Sequence, residues 1–364
     1  MMHSRIRSGP KKYAHDKKNC RGEHLNPRPL DPSTPACVRE KTFARFDDGE
    51  SSTNLSGCCF DLLSQQRESW QKLKDAYEAL KTVRTRSMLL HGFSVLLYHN
   101  PGRVTSATAA VGQKDVKDRP CFLCLNNLPS EQRWILYRNK YRILCNPMPA
   151  FPSHFTVAHV EHRPQAIAEN FDVFLGLMTD LGNGWMTLYN GPRCGASAPD
   201  HLHFQAIPAG RMPVEQEIRE AARLSLVVQI EDILVYRVND MGREIIVLVG
   251  DNRVSMAYAF ARVFTALKEV ITTEDEPMVN IAGYHDGGSW HIALFPRQKH
   301  RPDAFFKEGD ERIVVSPGVV EMAGVLVTPM ERDFERLDAA TAEGIYREVS
   351  LDGNILAKAI KGIE

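Results

Sequence analysis

From position 201 the chain alternates polar and apolar residues: His201-Leu202-His203-Phe204-Gln205-Ala206. A strand sends residues i, i+2 and i+4 to one face. The pattern therefore predicts a strand over 201–207 with His201, His203 and Gln205 in one row and Leu202, Phe204 and Ala206 toward a core. Three polar groups on an otherwise apolar strand are costly to bury without partners. A metal and a phosphate would supply them; a surface strand whose histidines face water is the plainer alternative.

The elements around this strand predict a mixed α+β chain. A helix is expected over about 60–82, where Trp70, Leu73, Tyr77 and Leu80 recur at helical spacing and Glu68 and Lys72 form an i,i+4 pair. Strands are expected at 93–98, 141–145 and 155–158, with the stiff connector Asn146-Pro147-Met148-Pro149-Ala150-Phe151-Pro152 before the last. An amphipathic helix over 166–182, a strand over 185–189 and a glycine-bearing loop over 190–200 lead into the alternating strand. The second half repeats this order: a strand at 245–249, a helix at 255–271, a strand at 278–282, a loop at 283–288 and a closing strand at 290–295. Both closing strands end in proline, Pro208 and Pro296, and sliding one onto the other sets His203 over His291 and Gln205 over Ala293. An internal duplication follows, with only the first copy fully equipped. The expected division is a loosely attached extension over 1–55, a first half over 56–210, a second over 211–330, and a helical tail over 331–364 with a helix at 332–349.

Bulk properties narrow the function. Formal net charge is zero, so the basic excess of a nucleic-acid-binding protein is absent, and an anionic substrate must be met by a local cluster of donors. The eight cysteines are scattered through 364 residues, which argues against a disulfide scaffold and for reduced thiols in the cytoplasm. The first eighteen residues form no secretory signal, and no apolar run approaches the roughly 20 residues of a membrane span.

Cys121-Phe122-Leu123-Cys124 is a knuckle suited to zinc thiolate ligation. Two further ligands are needed, and His154, His159, His162 and His201 are candidates. A redox dithiol is the rival reading, disfavoured because Leu125-Asn126-Asn127-Leu128-Pro129 does not start a convincing helix. The loop Asn190–Ser197, with Gly191 and Gly195, can turn backbone N–H groups toward an anion. Arg297, Lys299, His300 and Arg301 cluster beyond the second closing strand, as phosphate-neutralising donors or as a solvated basic loop. Arg103, after Asn100-Pro101-Gly102, is a further phosphate-contact candidate.

The run Gly195-Ala196-Ser197-Ala198-Pro199-Asp200-His201-Leu202-His203-Phe204-Gln205 resembles the histidine-triad superfamily. Within it, the run is similar to the branch of galactose-1-phosphate uridylyltransferase, diadenosine tetraphosphate phosphorylase and GDP-hexose phosphorylases, which carries His-x-His-x-Gln. The resemblance extends over roughly residues 93–330. It implies a HIT-like antiparallel sheet with flanking helices, built as two HIT-like halves in one chain. It also implies that His201, Cys121, Cys124 and His162 bind a structural Zn2+, that His203 is the nucleophile and that Gln205 contacts the transferred phosphate. Asn190, Gly195 and Ser197 join Arg103, Arg297, Lys299 and Arg301 as nucleotide- or phosphate-binding candidates. His154 and His159 are then structural. The expected activity is transfer or phosphorolysis of a nucleoside monophosphate from an NDP-sugar or dinucleoside polyphosphate, through a nucleotidyl-histidine, to a phosphate or sugar-phosphate acceptor. A hydrolase of the same fold and a catalytically lapsed nucleotide-binding protein are the alternatives. The expected chain is a monomer or homodimer. It departs from the uridylyltransferase pattern by one extra residue between Ser197 and His201, and by keeping His291 alone of a second-half histidine pair.

Overall fold

Fourteen strands form two sheets among the described residues of the computed structural model, which are 35–47, 54–109, 116, 119–239, 242–271 and 276–363. They are β1 (Thr42–Phe46), β2 (Arg84–Leu89), β3 (Ser94–His99), β4 (Trp134–Tyr137), β5 (Tyr141–Cys145), β6 (Phe155–His159), β7 (Trp185–Asn190), β8 (His203–Pro208), β9 (Leu224–Ile230), β10 (Ile233–Val238), β11 (Ile246–Gly250), β12 (Val279–Asp286), β13 (Ser289–Pro296) and β14 (Val325–Thr328). The large sheet has the order β1-β4-β5-β6-β8-β7-β12-β13-β11-β10-β9, and the small one β14-β3-β2.

The large sheet displays the duplication. β4, β5, β6, the helix Phe171–Leu181, β7 and β8 recur as β9, β10, β11, the helix Arg253–Val270, β12 and β13. Each set has the spatial order first, second, third, fifth, fourth, and the sets meet where β7 pairs antiparallel with β12. The two equivalent helices touch through Phe171 and Phe260, whose rings stack with centroids 3.7 Å apart. Asn252 starts the second helix by accepting from the N–H groups of Val254 and Ser255.

Alternation along β8 divides the interior into layers. Leu202, Phe204 and Ala206 enter the core under the helices, while Ile207 joins a second core with β3, β14 and the helix Ala339–Val349. The polar face of β8 thus looks away from the helices, toward the small sheet. The helix Gly353–Ile363 packs on Arg253–Val270.

Several expectations need correction. Residues 42–46 are not a loose extension: β1 lies parallel to β4 at the sheet edge, with Ala44 and Phe46 buried and Phe46 stacked on Tyr137. Residues 1–34 and 48–53 lie outside the described residues. The expected helix at 60–82 is two, Leu55–Ser69 and Gln71–Ala79, because Trp70 adopts an extended backbone (φ −129°, ψ 97°) and buries its ring. Glu68 and Lys72 therefore sit on different helices. The helix at 332–349 is also two, Glu331–Arg336 and Ala339–Val349; Asp338 caps the second by accepting from Thr341 N–H. The loop at 283–288 is a hairpin, with β12 running on to Asp286 and Gly287 and Gly288 turning at positive φ.

Candidate active site

His201 ends a turn just before β8, fully buried, with its backbone N–H donating to the Ala198 carbonyl. Its Nδ1 lies 3.3 Å from Cys121 Sγ and 3.6 Å from Cys124 Sγ, and Cys124 Sγ lies 3.2 Å from His162 Nδ1. The four ligand atoms all fall within 4.8 Å of one another. Thiolate and imidazole ligands on one tetrahedral ion sit about 3.6 Å apart, from bond lengths of about 2.3 and 2.05 Å, so the spacing suits a single metal. The outer contacts agree. His201 Nε2–H donates to the His159 carbonyl at 2.9 Å, which keeps the Nδ1 lone pair for a ligand, and His162 Nε2 faces Asp200 at 3.4 Å. Burial first, then the neighbouring Cys124 and Asp200, push the Cys121 thiol up to about 11. A cation among the four groups would reverse that shift.

Two residues on, His203 is nearly buried (5 % exposed) and lines a cavity of about 300 Å³. Its Nδ1–H donates to the His201 carbonyl at 2.8 Å, which fixes the tautomer and leaves the ring's lone pair on Nε2. Burial pushes its basicity down to about 4, so the ring is neutral at pH 7. Gln165 clamps the backbone here: Oε1 accepts from His203 N–H at 2.8 Å, and Nε2 donates to the carbonyls of His203 and Asn190 at 3.0 and 2.9 Å. Gln205 lines the same cavity, and its Oε1 lies 2.7 Å from His154 Nε2. Single-strand alternation had all three polar groups sharing one surface. The strand instead starts at His203, so His201 joins the Cys121, Cys124 and His162 cluster while His203 and Gln205 line the cavity.

The molecule compares with known structures as follows. No curated protein matches the chain's sequence. A family model described as a domain of unknown function, DUF4922, matches residues 62–208. The yeast Ap4A phosphorylase Apa2 in complex with Ap4A is similar at TM-score 0.52 and 14% identity, over 79% of this chain and 97% of that one. The fold is histidine-triad-like. The same yeast protein in complex with AMP gives TM-score 0.49 at 14% identity over 78% and 96% of the two chains. A DUF4931 family protein from Bacillus cereus gives 0.32 at 14% over 43% and 82%.

On this histidine-triad-like frame the remaining predicted residues separate into two groups. Asn190, Gly195, Ser197 and Arg103 line the cavity with His203 and Gln205. Gly195 is required sterically: its φ is +92°, and a Cβ would lie 2.7 Å from the Cα of Gly318. Asn190 Oδ1 accepts from Val319 N–H and Asn280 Nδ2, both at 2.7 Å, so it ties the second half's 316–321 segment over the first half's site. Arg103 Nη1 donates to the Met148 carbonyl at 2.8 Å.

Arg297, Lys299 and Arg301 do not line the cavity. Arg297 is fully buried and spends all three nitrogens on Asn280 and the carbonyls of Val349, Pro317, Lys299 and His300. Lys299 pairs with Asp303 and Glu348. Arg301 binds Ser316 Oγ and the carbonyls of Ala107 and Ala109. Arg297 and Arg301 thereby hold the 316–317 end of the cavity-lining segment 316–321. Lys72 and Glu321 line the cavity as well; only the kink at Trp70 and the fold-back of 316–321 bring them there, and no local pattern signals either.

Among the described residues, no helix is long and apolar enough to cross a membrane.

Proposed function

We propose that the chain is a nucleotidyltransferase or nucleotide phosphorylase that carries a nucleoside monophosphate on His203. The carrying observation is the ring tautomer: with Nδ1–H held by the His201 carbonyl, a neutral ring offers its Nε2 lone pair in a cavity it shares with Gln205. In the first step Nε2 bonds to the α-phosphorus, and the bond from phosphorus to the departing phosphate or sugar phosphate breaks, the electron pair leaving on oxygen. In the second, an acceptor phosphate oxygen bonds to the phosphorus and the P–N bond breaks, returning the pair to Nε2. The His201 carbonyl steadies the cationic ring between the steps. Donors aimed at the phosphoryl oxygens supply most of the rate, and the Gln205 amide, which lines the cavity with His203, is a candidate.

Gln205 cannot titrate and so cannot activate water, which favours an intermediate that waits for a phosphate acceptor over hydrolysis. Cys121, Cys124, His162 and His201 would hold zinc in a structural role, because four protein ligands leave no open position for substrate. The yeast phosphorylase of the same fold was crystallised with Ap4A and AMP. A dinucleoside polyphosphate is therefore one substrate class to try, and an NDP-sugar the other. A cavity of about 300 Å³ suits a mononucleotide moiety. The test is a panel of both classes with and without phosphate, with configuration followed at an isotopically chiral α-phosphorus. Phosphate-dependent release with net retention is expected, since two in-line displacements restore configuration. Inversion, or equal release into water alone, refutes it.

A further inference from the structure

We propose that His154 sets the direction in which the Gln205 side-chain amide faces, making it a positioning residue of the site. Its bearing on rate rests on the transfer reading above.

His154 closes the proline-rich connector between β5 and β6 and is buried. Its backbone is held three ways. Its carbonyl accepts from Asn146 N–H at 2.9 Å and from the Tyr77 hydroxyl at 3.0 Å, and its own N–H donates to Tyr77 Oη at 3.4 Å. The ring is then oriented by its neighbours. Ala150 N–H donates to Nδ1 at 3.1 Å. A nitrogen that accepts carries no proton, so the neutral ring carries its hydrogen on Nε2. Burial and the nearby Arg103 push the ring's basicity down to about 3, which keeps it neutral.

Nε2–H therefore donates to Gln205 Oε1 at 2.7 Å. A Gln205 amide turned over would set its N–H₂ against this N–H, two donors facing with no acceptor between them. The hydrogen bond thus commits the carbonyl end of Gln205 to His154 and leaves the N–H₂ end for the cavity it shares with His203. A phosphoryl oxygen needs that end, because only the N–H₂ can donate. The sequence position equivalent to Gln205 in the second half is Ala293, which has no amide to orient.

The experiment uses the full chain. Ring 15N shifts of His154 report the tautomer: the Nε2–H form is expected, and the Nδ1–H form overturns the proposal. Kinetically, His154→Leu should slow formation of the nucleotide adduct on His203 by about 10- to 100-fold, the scale of a misplaced reacting group, with little change in KM. His154→Gln, whose amide can still donate to Gln205 Oε1, should recover most of the rate. Added to Gln205→Ala, His154→Leu should cost nothing further; additive losses would show that His154 acts otherwise and overturn the proposal. If the unaltered chain forms no adduct, the transfer reading fails, and the ring tautomer still decides the His154–Gln205 contact.

Discussion

The two halves of the large sheet share an order of elements and differ in what their closing strands present. In the first, Thr156 and Gln205 are register partners across β6 and β8; in the second, the equivalent pair across β11 and β13 is Val247 and Ala293. Val247 and Ala293 are buried in the second core, whereas Gln205 and Thr156 line the cavity. The equivalent histidines diverge likewise. His203 has Nδ1 held by a carbonyl, while His291 stacks on Tyr284 with centroids 4.8 Å apart, and its Nδ1 has no hydrogen-bond partner among the described residues. One scaffold thus lines a cavity where polar pairs keep a face open, and forms a wall where apolar pairs close it. The closed half still contributes, because its continuation at 316–321 forms part of the first half's cavity.

That asymmetry can be broken by exchanging residues. His203→Asn should lower turnover by at least about 10³-fold, as loss of a nucleophile does, while His291→Asn leaves steady-state rates nearly unchanged; comparable losses at the two positions would dissolve the distinction. Gln205→Ala should cost about 10- to 100-fold in kcat by removing a phosphate donor. The reciprocal Ala293→Gln should gain no activity and lose about 1–3 kcal/mol of stability in denaturant melts, because it buries an amide without partners.

Among the described residues the one Cys2His2 cluster that could hold a metal lies in the first half, so chelation should act there first. Binding must expel the proton that burial holds on Cys121. Affinity should therefore fall as pH falls, and metal removal should lower both the melting temperature and the rate, with zinc restoring both. Arg297→Lys should destabilise by about 2–4 kcal/mol, since several buried carbonyls lose charged donors, with substrate KM unmoved until the fold fails.

A further effect, spread over the fold, concerns pH. Burial holds His154 near 3 and His300 near 4 in the folded chain, against about 6.5 when unfolded. Between about 6.5 and 4 the unfolded chain binds more protons, so each group removes up to about 1.4 kcal/mol per pH unit as pH falls through that window, and nothing above it. Urea midpoints at pH 7.5, 6 and 5 would show the slope.

Strands β5, β6, β7, β11 and β13 were legible within a residue or two, because each is an apolar run bounded by polar or turn residues. β4 and β14 have four residues each and no room for a period to show. β9 and β10 join through Glu231, a non-glycine residue at φ 53°, so no turn signal marks the hairpin. The meeting of Cys121, Cys124, His162 and His201, and the place of His203 beside them, were legible because their side-chain chemistry is rare in such spacing. The basic run at 297–301 misled for the converse reason: a sequence shows the cations and not the carbonyls that enclose them. Gln165 and the His154–Gln205 contact depend on packing between distant segments, and nothing local announces them.

The histidyl intermediate is best sought by mixing the full chain with Ap4A without phosphate, stopping the reaction with base and mapping the modified residue by mass spectrometry. A base-stable, acid-labile nucleotide on His203 is expected, and it disappears when phosphate is added before the quench. Turnover on adding phosphate by a chain that showed no adduct beforehand, or an adduct on any other side chain, would contradict a nucleotide carried on His203.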